Sequence, residues 1–227
     1  MIGFYDYTVI LTYLSLVSAS CGIIVALSGG GHPYIGTFFL LFCGLCDAFD
    51  GKVARTKTNR SQAERSFGVQ IDSLSDLVAF GVLPAAIGNG MLRRSALLSL
   101  VYGTGWQRVL EIGLTAILIL YILAALIRLA YYNVTEEERQ KAESGARTHF
   151  TGLPVTSSAL IFPLVLLLQY VIPTDVTPVY FATAAICAAA FLSPFQVRKP
   201  GLRGVLILVG IGAVEFLLML IGKALKC

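Results

Sequence analysis

Apolar runs of about twenty residues, separated by short polar breaks, recur along the whole chain. They fall at roughly 5–28, 33–55, 68–90, 108–132, 152–172, 177–196 and 203–224. A run of that length matches the ~20 residues an α-helix needs to cross the hydrocarbon core of a bilayer. The pattern therefore predicts seven spanning helices. The clearly polar connection is NVTEEERQKAESGARTH, 133–149, whose mixed charges mark a solvated helix or loop. The mixed stretch 91–107 reads as an interfacial segment, and Gly29-Gly30-Gly31 as a turn rather than a phosphate cradle. The opening MIGFYDYTV has no basic region and no small-residue cleavage site, so no signal peptide is expected.

Composition supports the pattern. Of the 227 residues, 56% are hydrophobic and 13% charged, against roughly 25% charged in soluble domains. No polar segment is long enough for a soluble domain. The fold class expected is all-α, a polytopic membrane helical bundle. Charge placement gives its orientation. With the N-terminus cytoplasmic, twelve Lys and Arg fall on that side and five on the other. The connection between the second and third spans is then cytoplasmic. Cys43 and Cys46 form a CxxC inside an apolar run, which fits helix packing better than redox or metal chemistry.

Against this background the stretch DAFDGKVARTKTNRSQAERSFGVQIDSLSD is anomalous, with four aspartates in a chain that otherwise avoids charge. Asp47 and Asp50 are three apart near the cytoplasmic end of the second span. Asp72 and Asp76 are four apart near the cytoplasmic start of the third. Both spacings place side chains on one helical face. Gly51 follows the first pair, and Gly68 continues the stripe of the second. Four carboxylates at close range need cations to stay ionised. Their hard oxygens suit Mg²⁺, Mn²⁺ or Ca²⁺, and a pair of divalent ions is a common clamp for phosphoryl chemistry. A glycine lets a ligand or a helix come close to the backbone. Arg55 and its basic neighbours are placed to hold phosphate oxygens.

Asp47, Asp50, Gly51, Ala54, Arg55, Gly68, Asp72 and Asp76 spell D-x2-D-G-x2-A-R…G-x3-D-x3-D. The stretch resembles the signature of the CDP-alcohol phosphotransferases. The spacer is longer than the family's usual one, with the twelve residues TKTNRSQAERSF between Arg55 and Gly68. Within the family, FGVQIDSLSDLVAFGVLPA resembles the phosphatidylserine synthases. So do IRLAYYNV (with Tyr131 where their pattern is basic), FTGLP at 150–154, and SASCGIIVAL, where Ser18 replaces an Asn.

The resemblance implies a core of six transmembrane helices, here residues 1–200, with 201–227 as an additional C-terminal helix. It implies a homodimer, CDP-diacylglycerol as lipid donor, an alcohol acceptor and release of CMP. Carried over residue by residue, Asp47, Asp50, Asp72 and Asp76 hold two Mg²⁺ or Mn²⁺ ions, and Asp76 is also the general base. Asp47, Gly51, Ala54, Arg55, Gly68 and Asp72 lie along the nucleotide, with Thr58 and Ser61 as further loop candidates. The acceptor expected is L-serine, with Arg128 and Asn133 as candidates for its carboxylate or for a phosphate. A snorkelling anchor is the alternative role for Arg128. The partners expected are thus CDP-diacylglycerol, serine and membrane lipid, and no nucleic acid. Inositol phosphate or glycerol phosphate is the alternative acceptor. In another class, intramembrane carboxylates also suit a cation transporter. Glu215 in the last span is expected as a protonated carboxyl bonded to a neighbouring helix, and His32 and His149 carry no role.

Overall fold

A computed structural model of the chain describes residues 3–28, 33–96, 103–142, 149–172, 174–198 and 201–226. After a 3₁₀ turn at Tyr7–Val9 come α1 (Ile10–Leu27), α2 (Pro33–Ala54) and α3 (Gln62–Asp76). A π turn at Leu77–Val82 joins α3 to α4 (Leu83–Leu92). α5 (Gly105–Ala142) is followed by the strand β1 (His149–Thr151), a 3₁₀ turn at Val155–Ser157, α6 (Ser158–Val171) and α7 (Thr177–Leu192). The strand β2 (Gln196–Arg198) and α8 (Leu202–Lys226) complete the order. The chain is a polytopic helical bundle.

Among the described residues five helical segments are long and apolar enough to cross a membrane: Tyr7–Leu27, Pro33–Ala54, Gln62–Leu92, Gly105–Arg139 and Leu202–Gly222. The runs at 152–172 and 177–196 form shorter helices than expected, of 14 and 16 residues. Proline and backbone pairing explain the shortening. Pro154 precedes the 3₁₀ turn, Pro194 follows α7, and the flanking residues enter an antiparallel ladder pairing Phe150 with Val197. Gly152 makes the bend between ladder and helix at φ +75, where any Cβ would sit 2.9 Å from the carbonyls of Phe191 and Ser193.

The polar connection is mostly helix. α5 runs 38 residues, about 57 Å at ~1.5 Å per residue. Its end therefore leaves the ~30 Å apolar layer, and there Arg139 pairs with Glu136 at 2.6 Å. Residues 97–102 of the expected interfacial segment, Gly29-Gly30-Gly31 and His32 lie outside the described residues. His149 is part of β1.

The core forms around Tyr121 on α5, Phe162 on α6, and Tyr180 and Phe191 on α7, with ring centroids 4.7–5.5 Å apart. Its polar atoms settle the geometry of the π turn. Leu83 N–H donates to Val78 O, five residues back. Pro84 has no N–H to offer the Phe80 carbonyl. The Tyr121 hydroxyl supplies the missing donor at 2.6 Å, and lies 2.7 Å from Ser158 Oγ. The Tyr180 hydroxyl likewise donates to the Pro84 carbonyl at 2.7 Å. Tyr121→Phe strands a buried carbonyl, at a cost of roughly 1–3 kcal/mol. Thermal unfolding in detergent is expected to show a lowered Tm. Turnover is expected to fall as well, because the π turn begins at the residue after Asp76; unchanged values for both would remove this role.

α8 packs on α2 and α6 and turns most of its apolar surface outward. Glu215 points inward and is 4% exposed. Its Oε2 has no hydrogen-bond partner among the described residues, so the expected bond to a neighbouring helix is not formed there. Cys43 and Cys46 are buried and unpaired, and the Cys43 thiol donates to Ser15 O at 3.3 Å.

Candidate active site

The aspartates lie where α2 ends and α3 gives way to the π turn. α2 packs along α1 and against α4, but shares little direct contact with α3. α3 leans on α1 instead, where Ser75 Oγ donates to Thr12 O at 3.1 Å. The carboxylates of the two helices face each other across this separation. Asp50 and Asp72 come within hydrogen-bonding reach, and Asp47 and Asp76 interact with them electrostatically. Asp47, Asp50 and Asp72 are half-buried; Asp76 is 8% exposed. The backbone N–H of Gly51 donates to Asp50 Oδ1.

Two carboxylates in contact require a proton or a cation between them. The donor set, all hard oxygens, fits Mg²⁺ or Mn²⁺. The arrangement is not a closed cage, since no three acidic, His or Cys side chains among the described residues reach ligating geometry together.

α3 begins at Gln62, six residues before the expected 68, and the reason is local. Ser61 and Glu64 form a capping box: Glu64 N–H donates to Ser61 Oγ at 3.2 Å, and Ser61 N–H to Glu64 Oε2 at 2.7 Å. The signal S-x-x-E is present in the sequence. Ser61, a candidate nucleotide contact, thus uses its hydroxyl as a helix cap, while Thr58 is exposed.

The connection from 55 to 61 is anchored to the N-terminus. Lys57 Nζ donates to Asp6 Oδ2 at 2.7 Å and to Glu64 Oε1 at 2.8 Å. Phe4 packs edge-on against Phe67 at 5.5 Å, and Thr56 Oγ1 lies 3.2 Å from Tyr7 Oη. The hydrogen bond from Lys57, with further ones from Thr8, lowers the Asp6 carboxyl from 3.8 to about 2. A lowered carboxyl stabilises the fold above its ordinary range, and the contribution is lost as pH falls from 3.8 toward 2.

Each motif glycine is covered by an arginine. A Cβ on Gly51 would lie 3.4 Å from Arg55 Nη1, and one on Gly68 would lie 2.7 Å from Arg60 Nη2. Lys52 stacks 4.8 Å from the Phe49 ring centroid, its Nζ buried without a hydrogen-bond partner.

Residues 8–195 match the CDP-alcohol phosphatidyltransferase family. The chain belongs to that family. Among curated relatives, it is 37% identical over 138 residues to a CDP-diacylglycerol–serine O-phosphatidyltransferase of Saccharomyces cerevisiae, covering 60% of this chain and 43% of the relative. It is 30% identical over 148 residues to an archaetidylserine synthase of Methanothermobacter thermautotrophicus, covering 65% and 53%. It is 30% identical over 125 residues to a CDP-diacylglycerol–serine O-phosphatidyltransferase of Helicobacter pylori, covering 55% and 43%. The chain spans about half the length of the curated relatives it matches.

In this family member, two further sequence candidates join the same end of the bundle. Asn133 Nδ2 donates to Ser73 Oγ at 2.7 Å, fixing α5 beside Asp72. Arg128 is 5% exposed, donates from Nε to Leu153 O at 3.3 Å, and lies 5.7 Å from the Tyr132 ring centroid. A side chain so enclosed is not a snorkelling anchor. Arg128 falls on the buried stripe Tyr121, Ala124, Ala125, Arg128, the face of α5 that carries the Tyr121 contact to the π turn. Sequence reasoning missed Ser73, Tyr121 and Arg60. Of these only Tyr121 left a trace, as a polar residue inside an apolar run facing a helix that contains Pro84.

Proposed function

We propose that this chain transfers the phosphatidyl group of CDP-diacylglycerol to L-serine, giving phosphatidylserine and CMP, at the cytoplasmic face of the membrane. The observation that carries the reading is the meeting of the two aspartate pairs beside Gly51, Ala54, Arg55 and Gly68. Support for serine as the acceptor comes from the relatives, which in a yeast, a bacterium and an archaeon are all named for serine. The family match sets the transporter alternative aside.

Asp47, Asp50, Asp72 and Asp76 would hold the divalent ions, Mg²⁺ or Mn²⁺, which supply positive charge that neutralises the diphosphate when bound. Asp76 takes the proton of the serine hydroxyl as the oxygen attacks the phosphorus nearest the lipid. A new phosphorus–oxygen bond forms, the bridging bond of the diphosphate breaks, and CMP departs with the bonding electrons. No covalent enzyme intermediate is needed. Arg55 steadies the diphosphate, and Arg128 receives the serine carboxylate from the α5 side. A site at the interface lets a lipid-borne phosphate and a water-soluble amino acid meet without either crossing the membrane. The reading includes a homodimer, as the family resemblance implies.

A panel of acceptor alcohols with purified protein, CDP-diacylglycerol and Mn²⁺ or Mg²⁺ tests this, with CMP release as readout. L-serine is expected to be required. A preference for inositol phosphate or glycerol phosphate transfers the assignment to another acceptor. Arg128→Lys and Arg128→Ala are expected to raise the KM for serine about ten- to a hundredfold, the size of a lost charged hydrogen bond, and to change that for CDP-diacylglycerol far less. Equal rises for both substrates make Arg128 structural.

A further inference from the structure

We infer that Arg60, which lies outside the family motif, is a second guanidinium for the diphosphate of the nucleotide donor, paired across the site with Arg55. The inference rests on the proposed function and adds a contact supplied by the long α2–α3 connection.

Three observations converge on Arg60. The first is position: its Nη2 lies 2.7 Å from where a Cβ of Gly68 would be, and Gly68 heads the stripe leading to Asp72 and Asp76. Arg55 stands in the same relation to Gly51, which follows Asp50. Each half of the motif thus carries one arginine folded onto its glycine. The second is incomplete satisfaction. Nη1 and Nη2 reach Ala54 O and Glu64 O at 3.4 and 3.3 Å, long for charged donors, and the buried Nε has no partner. A guanidinium has five donors in a planar fork suited to phosphate oxygens, and most of that capacity is unused here. The third is anchorage. Lys57, bound to Asp6 and Glu64, and the Ser61 cap fix both sides of Arg60, so its backbone is held while its side chain is weakly held.

Charge selects the ligand. The diphosphate of a CDP-lipid brings two negative charges to carboxylates already at mutual contact. Two arginines, one folded onto each motif glycine, match those two charges. Exchange of the long contacts to Ala54 O and Glu64 O for phosphate oxygens would satisfy Nε as well.

The test compares CDP with CMP, in Mn²⁺, by calorimetric titration of the full chain in detergent. Wild type is expected to prefer CDP, the ligand with the second phosphate. Arg60→Lys and Arg60→Ala are expected to weaken CDP about ten- to a hundredfold and to bring the CDP-to-CMP preference toward one. Lys57→Gln, which loosens the same connection without removing a guanidinium, is expected to keep that preference. Equal weakening of CDP and CMP in the Arg60 variants reduces Arg60 to a loop tie and overturns the inference. Unchanged or tighter CDP binding makes it a plug over Gly68 and overturns it too. In both cases CDP binding that still depends on metal and on Asp50 leaves the proposed function standing. Wild type that does not bind CDP overturns both.

Discussion

Asp76→Asn protein is expected to bind CDP-diacylglycerol and release almost no CMP. Asp76 is the last residue of α3 and the most enclosed of the aspartates, at 8% exposure. It lies one turn deeper than Asp72, so an incoming hydroxyl can lie between it and the phosphorus that it attacks. Loss of one positioned base typically costs ~10²–10⁴-fold in rate, and loss of a metal ligand adds to it. Asp47→Asn is expected to behave differently. Asp47 lies on α2, one turn before Gly51 and two before Ala54, so its loss weakens nucleotide binding first. Binding and single-turnover measurements on both variants at saturating metal separate the two. Near-normal turnover in Asp76→Asn excludes it as the base.

Removal of divalent metal is expected to abolish CMP release reversibly. Asp50 and Asp72 approach within hydrogen-bonding reach, and such a pair binds substrate diphosphate poorly unless cations offset its charge. Chelation followed by Mn²⁺ or Mg²⁺ is expected to restore turnover. A ligand that binds only the folded state raises stability by mass action, so metal is also expected to raise the Tm of wild type. Asp50→Asn is expected to lose both responses while still inserting and folding. Full activity of chelated, metal-free protein ends the metal reading.

Much of the site is legible from sequence because its logic is local. Asp47 with Asp50, and Asp72 with Asp76, share faces by helical spacing alone, and their glycines follow the same register. The early start of α3 is local too, written in Ser61 and Glu64. Arg128 was visible as a candidate, but its sequence fits an exposed anchor as well as a buried ligand. The Leu153 carbonyl and the Tyr132 ring, which enclose it, are brought there by chain folding.

The sequence by itself determined the class of molecule, the number of apolar runs and which aspartates share a face. Length, hydropathy and 3.6-residue periodicity depend only on neighbours in the chain. The tertiary structure decided what lies between distant segments. It pairs Phe150 with Val197, which shortens two of the expected spans. It brings Tyr121 to the Phe80 carbonyl that Pro84 leaves without a donor, allowing the π turn beside Asp76. It stands α2 and α3 apart while their carboxylates meet, and folds Arg60 over Gly68. Each of these is a buried polar group or close approach that finds its partner through packing, and pairings of that kind leave no periodic signal in a sequence.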